Sequence, residues 1–320
     1  MDNSSGGRSA SAHSGKGNLG VANPLQIRGL YKRFQSQQIL DNVNITVYSG
    51  DVYGFLGPNG AGKSTTIRII ADLIRADAGN AAIFGNDSHR EKLAALRYTG
   101  MLIEKPAFYG HLSAETNLRL ICKLLDFDSE PEIQRVLKWV DLADEGKKKV
   151  RKYSQGMKQR LAIAQTLLGN PKFIILDEPT NGLDPLSMRE IRHLILRLRD
   201  EGLTIFLSSH LLYEVERVCN RMGIIHKGKI IAEGSVDELL RQQISFSVEL
   251  LISKPLEAAA VVQSWDNSLE LQVLDERLEV KISSSKIPEM IRELAAANLD
   301  IFSVRPLTSL EDYFIHLVEG

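Results

Sequence analysis

The stretch Gly57-Pro58-Asn59-Gly60-Ala61-Gly62-Lys63-Ser64-Thr65 decides the fold. It satisfies G-x-x-x-x-G-K-[ST], and its flanks give that pattern meaning. Upstream, Val52-Tyr53-Gly54-Phe55-Leu56 is a short apolar run that reads as a strand. Downstream, Ser64 to Ala71 carries a helical apolar period. Strand, glycine loop and helix form the opening of a nucleotide-binding unit, the P-loop NTPase arrangement. The chemistry requires these residue types. A triphosphate carries about four negative charges, so backbone N–H groups must come close to it. Glycines allow that approach and the dihedrals it demands. The helix beginning near Lys63 directs its N-terminus at the phosphates. Lys63 is expected to reach the β- and γ-phosphates, and the Ser64 hydroxyl to ligate Mg²⁺. Gly57, Asn59, Gly60, Ala61, Gly62, Lys63, Ser64 and Thr65 are therefore expected nucleotide-binding positions.

Outward from this loop, Leu25–Leu30 and Ile39–Tyr48 alternate apolar and polar residues, as strands do. Residues 111–170 are mostly helical in pattern: Leu118, Ile121 and Leu125, then Ile133, Val136, Leu137 and Val140, fall at helical spacing. Phe173–Leu176 and Thr204–Leu207 are bulky runs without alternation, which fits buried parallel strands. Ile191–Arg199 between them is an amphipathic helix. Strands alternating with helices predict an α/β domain over residues 24–240 with a mainly parallel sheet, interrupted by a helical subdomain at about 105–170. From residue 244 to 320 the pattern is β-α-β-β-α-β followed by a helix at Ser309–Val318, which predicts a small α+β, ferredoxin-like domain. Residues 1–23 are rich in Ser and Gly and poor in large apolar side chains, so a disordered tail is expected there.

The 320 residues are 43% hydrophobic and 25% charged, proportions that support a large core without disulfides. With 39 Lys plus Arg against 40 Asp plus Glu the net charge is -1, which argues against a protein held to DNA or RNA by phosphate neutralisation. No nucleic-acid partner is expected. The two cysteines, Cys122 and Cys219, form no metal-binding or redox pair, and a reducing, intracellular setting is the expectation. The apolar runs are strand-sized and the N-terminus has no apolar h-region, so neither a transmembrane helix nor a signal peptide is expected. Work at a membrane would then require another polypeptide to carry the spans.

A P-loop NTPase needs a carboxylate at the end of a neighbouring strand to hold the Mg²⁺ shell, and Asp177 follows Phe173–Leu176 directly. Glu178, beside it, is placed to accept a proton from the attacking water. Three further segments extend the pattern: Tyr153-Ser154-Gln155-Gly156-Met157-Lys158-Gln159-Arg160, Ile175-Leu176-Asp177-Glu178-Pro179-Thr180-Asn181-Gly182-Leu183-Asp184-Pro185, and Leu207-Ser208-Ser209-His210. Taken in order with the loop, from about Leu25 to Gly234, they resemble the ATP-binding-cassette (ABC) ATPases.

The resemblance implies roles position by position. Phe34 matches the aromatic that stacks on adenine, Asp177 the Mg²⁺-linked aspartate, Glu178 the catalytic base and His210 the switch histidine at the γ-phosphate. Lys63 completes the catalytic set, and Ser64, Glu104 and Asp177 the metal set. Asp184 matches the aspartate at the dimer interface, and Ser154 and Gly156 the signature motif that faces the nucleotide of a second copy. ATP and Mg²⁺ are the implied cofactors. A second copy and an integral-membrane permease are the implied partners, with the chain peripheral on the cytoplasmic face of the cell membrane. Two positions depart from the commonest family pattern. Gln155 replaces a signature glycine, and Glu104, in Leu102-Ile103-Glu104-Lys105-Pro106, stands where glutamine is usual. Both resemble the branch that exports bacitracin or gives self-immunity to lantibiotics, as does the tail Pro306–Phe314. The implied function is ATP hydrolysis driving an antibiotic exporter. The alternative is a soluble ABC ATPase without a permease, and a small-molecule kinase is remote because it has no use for the signature or for His210.

Overall fold

The computed structural model describes residues 22–104, 106–126, 129–241 and 246–306. The expected tail, except for Ala22 and Asn23, and the expected helix at Ser309–Val318 lie outside these residues.

The chain opens with β1 (Leu25–Phe34) and β2 (Gln37–Val47), an antiparallel pair that matches Leu25 with Val47 and Phe34 with Gln37. β3 (Val52–Leu56) leads through the glycine loop into α1 (Lys63–Ile70). Then come β4 (Ala78–Ile83), β5 (Asn86–Asp87), α2 (Lys92–Leu96) and β6 (Thr99–Leu102). A helical segment follows: α3 (Ala114–Leu124), α4 (Ser129–Trp139) and α5 (Gln155–Thr166). β7 (Phe173–Leu176), α6 (Pro185–Asp200), β8 (Thr204–Ser209), α7 (Leu212–Val218), β9 (Arg221–His226), β10 (Lys229–Ser235) and α8 (Val236–Arg241) complete the unit.

These strands form two sheets. Six lie in the order β10-β9-β3-β8-β7-β6, parallel throughout except for β10 against β9. Four others form an antiparallel sheet, β2-β1-β4-β5. Every residue of β3, β7 and β8 is buried, because helices or the second sheet cover both faces of a parallel sheet. β7 shows how the faces divide. Ile174 and Leu176 enter a core shared with the helical segment and α6, whereas Phe173 and Ile175 enter a core shared with α1 and the antiparallel sheet. Phe206 stacks on Tyr53 in that second core, with ring centroids 5.5 Å apart. Truncating such a buried ring costs about 3–5 kcal/mol.

Beyond this unit, β11 (Phe246–Ile252), α9 (Pro255–Trp265), β12 (Glu270–Leu274), β13 (Arg277–Ile282), α10 (Ile287–Ala296) and β14 (Ile301–Pro306) form a four-stranded antiparallel sheet in the order β12-β13-β11-β14. Val248, Leu250 and Ile252 alternate inward along β11 and meet Val262, Met290 and Leu294 of the two helices in a separate core. Among the described residues no helix is long and apolar enough to cross a membrane.

Candidate functional site

β3, β8 and β7 are adjacent and parallel, with Leu56 in register with Ser209 and Leu176 with Leu207. Their C-terminal ends therefore deliver three loops to one place: the glycine loop, Asp177-Glu178, and Ser208-Ser209-His210. Ligands in open α/β sheets bind at this end of the strands.

The glycine loop is held by two exclusions. A Cβ on Gly57 would stand 2.3 Å from the Ile225 carbonyl oxygen, so the strand end packs where no side chain fits. Gly62 has φ of 116° and is the N-cap of α1. That helix has no side-chain cap and no acidic residue in its first turn, which leaves its N-terminal N–H groups and dipole available to an anion. Over it lies a cleft of about 320 Å³, lined by Phe34, Ile39, Pro58, Asn59, Gly60, Gly62, Lys63, Ser64, Thr65, Glu178 and Asn181.

Lys63 is only 6% exposed. Its Nζ donates to the Gly57 carbonyl at 2.6 Å and lies 3.3 Å from Glu178 Oε1. The other Glu178 oxygen, Oε2, is 2.7 Å from His210 Nδ1. Glu178 adopts φ of 49°, a strained backbone for a residue with a side chain. Its N–H donates to Ser208 Oγ at 2.9 Å, and the same hydroxyl donates to Asp177 Oδ1 at 2.5 Å. Burial pushes the Asp177 carboxyl above its ordinary pKa, while hydrogen bonds from the Ser208 and Ser64 hydroxyls oppose the shift.

Ser64 lines the cleft, and its hydroxyl is among the groups that act on the carboxyl of Asp177, the residue directly after β7. Two hard oxygen donors of this kind suit Mg²⁺. Among the described residues no group of three or more His, Cys, Asp or Glu could cage a metal. Such an arrangement fits an ion that takes its other ligands from water and phosphate.

Phe34, at the end of β1, is 47% exposed and lines the same cleft, with Lys32 Nζ 5.2 Å from the ring centroid. Ser154 and Asp184 sit elsewhere, as N-caps. Ser154 Oγ accepts from the Met157 N–H at 3.1 Å at the start of α5. Asp184 accepts from the Ser187 N–H at 2.9 Å and its hydroxyl at 2.8 Å at the start of α6, and these bonds hold its carboxyl below its ordinary pKa. Gly156 joins the two helices, since a Cβ there would stand 2.3 Å from Ser187 Oγ. Glu104 lies apart from the cleft lining. It is 72% exposed and pairs with Arg68 Nη2 of α1 at 3.2 Å. Sequence reasoning gave no role to Ser208, Asn181 or Ser187. Only Ser208 carried a signal, its place at the end of a buried strand two residues before His210.

The ABC transporter family profile matches residues 40–181. The chain is 39% identical to the bacitracin transport ATP-binding protein BcrA of Bacillus licheniformis, over 91% of this chain and 96% of that protein. It is 42% identical to the lantibiotic transport ATP-binding protein SrtF of Streptococcus pyogenes, over 69% of this chain and 98% of that protein. Among solved structures, the ADP conformation of MJ1267, an ATP-binding cassette of an ABC transporter, superposes with a TM-score of 0.60 at 27% identity, covering 68% of this chain and 92% of that one.

Proposed function

The chain belongs to the ABC transporter family of ATPases, and on that premise we propose that it drives a separate membrane permease exporting a peptide antibiotic such as bacitracin or a lantibiotic. The observation that carries this reading is the convergence of Lys63, Asp177, Glu178 and His210 at the ends of three adjacent strands. On this reading Lys63 exchanges the Gly57 carbonyl and Glu178 for phosphate oxygens when ATP enters. Ser64 and Asp177 would hold Mg²⁺, which when bound would supply positive charge to the phosphate oxygens. Glu178, released from Lys63, accepts a proton from the attacking water. His210 holds Glu178 in place and meets the γ-phosphate. Phe34 stacks on the adenine.

Ser154 and Gly156 then face the nucleotide of a second copy, and Asp184 lies at the interface between copies. The exposed Glu104 belongs to the surface that meets the permease. Residues 24–240 act as the cassette, and residues 244–320 as a ferredoxin-like module whose strand order, β12-β13-β11-β14, supports that reading. The chain works at the cytoplasmic face of the cell membrane. The names of the bacitracin and lantibiotic relatives support the substrate class.

The test is capture of the permease. Tagged Glu178→Gln protein, purified from detergent-solubilised membranes with ATP present, is expected to bring down a polytopic membrane protein in stoichiometric amount. Recovery from the soluble fraction alone, without such a partner, contradicts the exporter.

A further inference from the structure

Glu178 and His210 meet through two loops, residues 177–184 before α6 and residues 210–211 before α7. Their contact depends on how α6 and α7 stand relative to each other. α7 has only seven residues, and its N-cap, Leu211, makes no side-chain cap bond, so capping does not fix its start. Two hydrogen bonds from one side chain tie the two helices from behind. Arg192, two turns into α6, donates from Nη1 to Glu214 Oε1 at 2.6 Å and to the Tyr213 hydroxyl at 2.7 Å, both on the first turn of α7. Glu214 is 5% exposed and Arg192 14%. The Arg192 guanidinium also lies 5.6 Å from the Tyr213 ring centroid. The pair borders a small void lined in part by Thr180, Ser208 and Ser209, directly behind the loops of the site. Glu214 Oε2 is buried with no hydrogen-bond partner among the described residues.

A buried ion pair with an orphaned oxygen is a poor source of stability, since apolar side chains of similar volume serve as well or better. It is a good source of direction, because one guanidinium nitrogen, Nη1, is fixed by two acceptors on successive residues of α7. We propose that Arg192 and Glu214 form a strut that sets the position of His210 against Glu178, and that both are positioning residues for ATP hydrolysis. The inference rests on the roles read above for Glu178 and His210.

The test uses the full chain and the paired variant Arg192→Met/Glu214→Leu, which removes both charges together. Its melting temperature is expected to stay near the parent value. Its ATP turnover is expected to fall at least about tenfold, within what a displacement of about 1 Å can cost, with KM for ATP unchanged within about twofold. In a His210→Ala background the paired change is expected to cost nothing further, because it acts through that residue. Arg192→Lys, which keeps the charge and loses the planar guanidinium beside the Tyr213 ring, is expected to fall between parent and paired variant. Parent-like turnover in the paired variant, or a full additional loss in the His210→Ala background, overturns the strut. Parent-like turnover in His210→Ala alone overturns the reading of His210, and the strut with it.

Discussion

His210 Nδ1 lies 2.7 Å from Glu178 Oε2, and the same carboxylate reaches Lys63 with its other oxygen. One glutamate thus spans the histidine at the end of β8 and the lysine of the glycine loop. Removing the imidazole should leave the nucleotide cradle intact and free the carboxylate on one side. His210→Ala is expected to lower ATP turnover on the order of 10²-fold while ATP still binds. Parallel hydrolysis and nucleotide-binding assays check this, and weakened binding without loss of turnover would contradict it.

Ser208 bonds both carboxylate residues, donating to Asp177 and accepting from the Glu178 N–H. Groups that orient a metal ligand typically contribute 10–100-fold in metal affinity. Ser208→Ala is therefore expected to raise the Mg²⁺ concentration needed for hydrolysis about tenfold or more, and Ser208→Thr, which keeps the hydroxyl, to lie closer to the parent. A Mg²⁺ titration of turnover decides it.

Gly156 is pressed against Ser187, whose Cβ would stand 2.8 Å from a methyl added at residue 156 and whose Oγ would stand 2.3 Å away. Gly156→Ala is expected to cost about 1–3 kcal/mol of stability through overpacking. Ser187→Ala in the same chain should relieve only part of this, because the Cβ remains, and Ser187→Gly should relieve more. Urea denaturation of the three variants gives the ranking, and equal relief by alanine and glycine would place the clash elsewhere.

How much of this was legible in sequence follows from distance along the chain. The glycine loop with Lys63 and Ser64 is a local pattern between a strand and a helix, so its place could be read directly. β7 and β8 were equally plain, because strands covered on both faces become continuous apolar runs such as Phe173–Leu176. The antiparallel sheet was not separable. β4, Ala78-Gly79-Asn80-Ala81-Ala82-Ile83, has little intrinsic preference for a strand and exists by pairing with β1, where Gln26 meets Ala82 and Arg28 meets Asn80. Contacts made at long separation were invisible for the same reason. Ser208 finds Asp177 across 31 positions, Glu104 finds Arg68 across 36, and Arg192 finds Glu214 across 22.

The C-terminal unit carries an acid-sensitive contact. The Lys286 ammonium, with the hydroxyl and backbone N–H of Ser268, holds the Asp266 carboxyl at about 2. An unfolded aspartate titrates near 3.9. As pH falls, the unfolded chain takes up this proton first, so the contribution is whole above about pH 4 and is lost as pH approaches 2. Asp266→Asn is expected to flatten acid destabilisation of this unit in that window. An unchanged slope of melting temperature against pH would contradict the assignment.

The most direct measurement is ATP turnover by the purified chain and its Glu178→Gln variant at saturating Mg²⁺ and ATP, with nucleotide binding measured alongside. The expected result is hydrolysis by the parent, turnover lower by at least about 10²-fold in the variant, and ATP bound by both. Equal turnover in parent and variant would contradict hydrolysis through the Glu178 carboxylate.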